Sequence, residues 1–143
     1  MGEEENIMGR VWYDIFYHIV WTTKHRRPTI TPVMEKHMYP SMKAKAAEMG
    51  CYIHACNGVD DHVHVVITIP PRLSVSDVVG QIKGASAHHV NTTMRPPDQL
   101  RWQRGFGVNS FARKDLPWII NYVRNQKSHH RGGTTTNALE CTD

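Results

Sequence analysis

The chain has 143 residues, 40% of them hydrophobic and 21% charged, which is typical of one soluble globular domain. It contains no run of about 18 apolar residues that would predict a transmembrane helix. The acidic start, Met1–Glu5, lacks the apolar segment of a signal peptide. All 17 Lys and Arg residues, but only 8 of the 13 acids, lie between Arg10 and Arg131, a net charge of +9 that favours a polyanionic partner such as nucleic acid.

Three cysteines without CxxC spacing predict free thiols in a reducing cytoplasm. The first predicted element is a long strand over Val11–Thr23, in which aromatic and β-branched residues alternate between two faces. The basic run Lys24-His25-Arg26-Arg27 follows as a loop. It is compatible both with a solvated surface and with contacts to phosphate groups.

Helix and strand signals alternate along the rest of the chain. Pro40 lies inside the first helical pattern and predicts a kink or a break near Tyr39. Ser74, with Asp77 three residues later, resembles a capping box that begins the second helix. The predicted elements are, in order, a strand over 11–23, a helix over 31–49, strands over 51–57 and 62–69, a helix over 75–90, a strand over 105–112 and a helix over 116–130.

This order predicts an α+β fold with the split βαβ, ferredoxin-like arrangement: an antiparallel sheet with two helices on one face. The last helix is additional and carries a tyrosine. We expect an acidic N-terminal extension over residues 1–9, a domain over 10–131 and a disordered tail over 132–143. Because this fold hosts many activities, function has to be argued from side chains.

Two histidines lie side by side at the start of the strand over 62–69. Side chains alternate along a strand, so His62 and His64 share one face with Val66 and Thr68. Two imidazoles at i, i+2 can bind one metal ion, although two hydrogen-bonded strand histidines without a metal have the same pattern.

The last helix carries residues that can complete a metal site. An amide oxygen from Gln126, added to His62 and His64, predicts an incomplete N/O site for Mn²⁺ or Mg²⁺, with open positions for substrate oxygens. Asp61 is expected to orient one imidazole. Tyr122, four residues before Gln126, is expected about 5–6 Å from the metal, where a phenol can attack a metal-polarised phosphate.

These features resemble the single-tyrosine HUH transposases, the TnpA-type enzymes of the smallest bacterial and archaeal insertion sequences. HUH stands for histidine, hydrophobic residue, histidine. The likeness spans about residues 12–131, and its motifs are His62-Val63-His64 after Asp61, Tyr122-Val123-Arg124-Asn125-Gln126, the first strand with its basic exit, Ile82-Lys83-Gly84, Trp102-Gln103, Gly105-Phe106-Gly107 and His129-His130.

The resemblance implies an enzyme that cuts and rejoins single-stranded DNA at element ends. Tyr122 would form a 5′-phosphotyrosine link, and Mg²⁺ or Mn²⁺ held by His62, His64 and Gln126 would polarise the phosphate. Family members recognise DNA hairpins as homodimers, in which the tyrosine helix can complete the partner's site, and would act in the cytoplasm at the nucleoid. The basic residues expected to contact DNA are Lys24, Arg26, Arg27, Lys83, Arg104, Arg113 and Lys114.

Three alternatives remain open at this point. A domesticated or inactive relative would keep the same sequence features and act as a nucleic-acid-binding module. A simple binding module on the same fold could stack bases on Tyr13, Tyr17 and Trp21. A histidine-triad nucleotide hydrolase is disfavoured, because it needs a third alternating histidine where this chain has Val66.

Overall fold

The computed structural model describes residues 3–6, 9–140 and 142, and contains one four-stranded sheet, one two-stranded ribbon and five α-helices within those residues. The strands are β1 (Glu3–Asn6), β2 (Gly9–Trp12), β3 (Phe16–Thr22), β4 (Tyr52–Gly58), β5 (His62–Thr68) and β6 (Gly107–Phe111). The helices are α1 (Pro32–Glu48), α2 (Val75–Met94), α3 (Leu116–Arg124), α4 (Gln126–Gly132) and α5 (Asn137–Glu140).

The main sheet has the strand order β4-β5-β3-β6, and every neighbouring pair is antiparallel. Between β3 and β5 the register pairs Val20 with His64 and Thr22 with His62. This order confirms the predicted α+β, ferredoxin-like arrangement. It also gives β5 a hydrogen-bonded neighbour on each side, so its two histidines lie on a fixed backbone.

The two faces of the sheet are covered differently. We call the larger cluster the sheet core: it packs Val63, Val65, Ile67 and Ile69 against buried residues of α1 and α2. We call α3, α4 and α5 the C-terminal layer: its apolar contacts with the opposite face are a cluster of six buried residues that includes Val66. The predicted alternation along β5 is therefore confirmed.

The first predicted strand is divided in the structure. β2 ends at Trp12, β3 begins at Phe16, and Asp14 between them pairs with the Arg113 guanidinium instead of continuing a ladder. Asp is unfavourable inside strands, and alternation of residue types does not detect such an interruption. β1 and β2 form a hairpin, so part of the predicted N-terminal extension is a strand.

The first two helices are longer or more regular than predicted. α1 runs as one helix through Pro40, so the alternative of a break is wrong; its buried face of Met34, Met38 and Met42 packs into the sheet core. Tertiary packing of this kind can outweigh the lost hydrogen bond of an internal proline. α2 continues to Met94 instead of ending near residue 90.

The predicted last helix is two helices, separated at Asn125, whose backbone is not helical (φ −102°, ψ 22°). The Asn125 side chain donates to the carbonyl of Asn121 at 2.8 Å, a local bond of the kind that competes with helical hydrogen bonding. Beyond α4, the segment predicted to be disordered contains α5, which packs through Leu139. The boundaries of the predicted domain remain predictions.

Candidate active site

The start of β5 fixes the two histidines of the HxH motif. Gly58, at the end of β4, pairs with Val63 across the hairpin. A Cβ on Gly58 would collide with the backbone of His62 and lie 2.9 Å from the Val63 Cα, so only glycine permits this close approach. His62 and His64 are both buried, with 4% and 0% exposure.

Both imidazoles are held through their Nδ1 atoms. The His62 Nδ1 lies 2.7 Å from the Asp61 Oδ1, and the His64 Nδ1 lies 2.8 Å from the Nε2 of His18, a fully buried residue of β3. If each Nδ1 carries a proton and donates it, the two Nε2 atoms keep lone pairs that point into one shared space. Asp61 was predicted for this position, whereas His18 was not.

The C-terminal layer brings Tyr122 and Gln126 to the same space. The Tyr122 ring, on α3, has its centroid 6.2 Å from that of His64. Gln126 begins α4 and is fully buried, and its Oε1 lies 3.1 Å from the Nε2 of His130. His130 in turn lies 3.2 Å from the Nε2 of His62. Within this chain, Tyr122 and Gln126 therefore lie beside the same chain's His62 and His64.

Two residues of the site were missed by sequence reasoning. His130 and Glu140 join His62 and His64 in what we call the four-residue cluster, in which one ligand atom from each lies within 4.8 Å of all the others. His130 could have been found, because it lies four residues after Gln126 on the same helical face. Glu140 follows no motif and lies in the segment predicted to be disordered.

Charge balance in the cluster follows from these contacts. Burial raises the pKa of Glu140, but its contacts with the His62 and His64 imidazoles outweigh burial and hold that pKa below its ordinary value. Burial alone would lower the pKa of His62, yet its bonds to Glu140 and Asp61 raise it. Burial is also the main reason that the pKa of His64 is lowered and the pKa of Tyr122 is raised.

This set of donors fits a divalent cation. Three imidazole nitrogens and a carboxylate oxygen converge, with an amide oxygen beside them, and each type is a ligand for ions such as Mn²⁺ and Zn²⁺. Proteins usually orient an imidazole ligand through a hydrogen bond to the ring nitrogen that does not face the metal. Asp61 and His18 contact the Nδ1 atoms of His62 and His64 in this way.

The predicted DNA-contact residues are distributed over several surfaces. Arg26 lies 3.5 Å from Asp61 and, with His62, His130, Lys127 and Arg131, lines a cavity of about 490 Å³ beside the four-residue cluster. A second cavity of about 590 Å³ is lined by residues that include Lys24 and Arg27.

The remaining predicted DNA-contact residues lie outside both cavities. The Nζ of Lys83 donates to the carbonyls of Gln103 and Gly105, at 2.6 and 3.0 Å, and so holds the loop before β6. Arg113 pairs with Asp14, while Arg104 and Lys114 are exposed.

The family profile described as "Transposase IS200 like" matches residues 11–126 of this chain. The chain therefore belongs to the IS200-like transposase family. The IS200 transposase of Salmonella typhimurium is 25% identical over 138 residues, which cover 93% of this chain and 90% of that protein. The ISDra2 transposase TnpA of Deinococcus radiodurans is 27% identical over 78 residues, covering 54% of this chain and 56% of that protein.

Two solved structures share the fold of this IS200-like transposase. A putative transposase from Deinococcus radiodurans superposes with a TM-score of 0.64 at 24% identity, over 80% of this chain and 92% of that one. A REP-associated tyrosine transposase bound to a REP hairpin gives 0.61 at 14% identity, over 85% and 70%. No helix among the described residues of the transposase is long and apolar enough to cross a membrane.

Proposed function

We propose that this transposase cuts and rejoins single-stranded DNA with Tyr122 as the nucleophile. The observation that carries the proposal is the convergence of the Tyr122 ring with His62 and His64, since these residues come from elements far apart in the sequence. Simple DNA binding does not need a phenol beside a cluster of histidines. A metal-assisted phosphoryl transfer to tyrosine uses both.

In the proposed step, the Tyr122 oxygen attacks the scissile phosphorus. A bond forms between phosphorus and the phenolic oxygen, and the bond from phosphorus to the 3′ oxygen breaks. The phenol loses its proton, and the leaving 3′ oxygen takes up a proton to become a 3′-hydroxyl. The 5′ side stays linked to Tyr122, and attack by a 3′-hydroxyl reverses the reaction at a new junction.

His62, His64 and Gln126 are the proposed metal ligands, and His130 is a further candidate because its Nε2 lies 3.2 Å from that of His62. A bound Mg²⁺ or Mn²⁺ would polarise the phosphate and offset its developing charge. Asp61 and His18 would keep the two strand imidazoles oriented. His64 is fully buried, whereas His62 also lines the cavity beside the four-residue cluster.

DNA hairpins near element ends are the proposed substrate. The cavity beside the four-residue cluster supports a strand of nucleic acid at this place, because Arg131 lines it together with His62 and His130, while Arg26 and Lys127 line it in ion pairs with Asp61 and Glu35. Cations beside the reacting phosphate would bind the strand that leads to it. A homodimer, in which the tyrosine helix can complete the partner's site, is proposed from the family resemblance.

The test is a covalent adduct. Wild type and Tyr122→Phe are incubated with single-stranded hairpin DNA and Mn²⁺, and adducts that survive denaturant are counted by gel electrophoresis. We expect an adduct for wild type and none for Tyr122→Phe. Trp118→Phe, a change of an exposed aromatic residue on the same helix, is the matched control and should retain the adduct. Hairpin binding without any adduct would favour the non-catalytic binding module instead.

A further inference from the structure

Glu140 lies at the centre of the candidate site although it comes from the last residue of α5, outside the 11–126 segment that matches the family profile. Its Oε1 lies 3.1 Å from the Nε2 of His64 and 3.3 Å from the Nε2 atoms of His62 and His130. A carboxylate that touches three imidazoles is more than a surface acid that happens to lie nearby.

The spacing of these atoms suits ligands of one divalent cation. For bonds of about 2.1 Å, neighbouring ligand atoms around an octahedral ion such as Mg²⁺ or Mn²⁺ lie about 3.0 Å apart. The three distances from the Glu140 Oε1 are 3.1 to 3.3 Å, the His62 and His130 nitrogens are 3.2 Å apart, and all four ligand atoms lie within 4.8 Å of one another. The Glu140 carboxylate would fill a coordination position, whereas a catalytic site keeps a position open for a substrate oxygen.

The second oxygen of the same carboxylate covers the nucleophile. The Tyr122 hydroxyl donates to the Glu140 Oε2 and accepts from the Thr136 backbone N–H at 2.9 Å. A phosphodiester that reacts with Tyr122 must present one anionic oxygen to the histidines and its phosphorus to the phenol. Glu140 therefore occupies the place that the scissile phosphate needs.

The segment that carries Glu140 is held by few contacts. Leu139 is buried against the cluster that contains Ile119 and Tyr122, and the Asn109 side chain donates to the carbonyl of Ala138 at 2.7 Å. α5 has only four residues. Local units with so few buried contacts open at low free-energy cost compared with core elements.

We propose that Glu140 is a displaceable metal ligand: with α5 docked, it occupies a coordination position of the cation and caps Tyr122, and the DNA phosphate must replace it before cleavage. This inference rests on the proposed function for the identity of the displacing group. The ligand role itself does not depend on DNA or on cleavage.

The first experiment uses metal alone. Mn²⁺ binding to the full-length protein is measured by titration calorimetry for wild type, Glu140→Ala and the control Glu48→Gln, an exposed acid of α1 that pairs with Lys45. We expect Glu140→Ala to weaken binding on the order of tenfold or more, and Glu48→Gln to leave it unchanged. Equal affinities for wild type and Glu140→Ala would overturn the ligand role, whether or not any adduct forms.

The second experiment tests displacement. Hydrogen exchange of residues 134–140 is followed with saturating Mn²⁺, before and after single-stranded hairpin DNA is added, and adduct formation by Glu140→Ala is timed at saturating Mn²⁺. We expect faster exchange of this segment with DNA, and an adduct rate for Glu140→Ala above that of wild type. Unchanged exchange with bound DNA, or an adduct rate in Glu140→Ala no higher than that of wild type, would overturn displacement.

A variant that undocks α5 without removing the carboxylate separates the two roles. Leu139→Ala should speed exchange of 134–140 without DNA and weaken Mn²⁺ binding less than Glu140→Ala does. An adduct absent from wild type and all variants, together with a Mn²⁺ affinity that still depends on Glu140, would count against the proposed cleavage alone.

Discussion

The sheet core and the C-terminal layer contribute to one site on very different terms. The sheet core buries 18 residues, and His62 and His64 lie on a strand paired on both sides. The C-terminal layer has six residues in its buried cluster, two of them from β4 and β5, yet it supplies Tyr122, His130 and Glu140. One half of the site is thus built into the fold, and the other half is docked onto it.

This difference suggests a division of labour. A rigid strand keeps the two proposed metal ligands in place whatever happens at the surface, because moving them would disrupt the sheet. A docked layer can move as a unit at much lower cost, since it carries few buried contacts. An enzyme that must hold the end of a DNA strand and later exchange it benefits from a nucleophile on the movable half of the site.

The largest expected effect is the difference between an Ile→Ala substitution in the sheet core and one in the C-terminal layer. Ile19→Ala, in the sheet core at 1% exposure, should lower the free energy of unfolding by about 2–5 kcal/mol. Ile119→Ala, in the C-terminal layer at 3% exposure, should cost less global stability and instead increase hydrogen exchange of α3 to α5. Urea unfolding and exchange measurements on both variants check this.

The adduct assay tests the same two variants, Ile19→Ala and Ile119→Ala. Ile119→Ala should lose adduct formation while the sheet stays protected, because Tyr122 is no longer held against His64. If Ile119→Ala instead exposes β3 and β5 as much as Ile19→Ala does, the two regions form one cooperative unit and the comparison fails.

The same division explains how far the sequence could lead. The HxH pair, its strand and the fold order were predictable, because alternation along β5 and the order of elements are local patterns. The break at Asn125 was not, since the residues around Asn125 carry no glycine or proline that would predict it. Glu140 was not either, because its place in the site results from docking of α5, which no periodicity encodes.

His18 falls between these cases. The alternation along the first strand predicted the face on which His18 lies, but not its contact with His64. His18→Phe should lower Mn²⁺ affinity by about 10–100-fold, since the phenyl ring cannot accept a hydrogen bond from the His64 Nδ1. When His64 donates from Nδ1, His18 must carry its proton on its own Nδ1, an atom without a hydrogen-bond partner among the described residues. A buried polar atom left unpaired is costly, which favours a functional reason for a histidine here.

The control for His18 is His54→Phe. His54 is a half-buried histidine of β4 that bonds the Thr68 hydroxyl at 2.8 Å and lies outside the four-residue cluster. Titration calorimetry should show unchanged Mn²⁺ affinity for His54→Phe. Equal losses in both variants would mean that general damage to the sheet, rather than orientation of His64, sets the affinity.

The smallest expected effect concerns the polar contact that docks α4. The Lys127 Nζ lies 2.8 Å from the Glu35 Oε2, 2.9 Å from the Asn57 Oδ1 and 3.1 Å from the Gly58 carbonyl, and so joins α4 to α1 and β4. Because Lys127 is 44% exposed, Lys127→Met should cost no more than about 1 kcal/mol of stability. Adduct formation should nevertheless slow severalfold, since the helix that carries Gln126 and His130 loses its polar contacts with α1 and β4. Lys45→Met, which breaks an exposed pair within α1, should change neither quantity. A wild-type adduct rate in Lys127→Met would show that apolar packing alone docks the C-terminal layer.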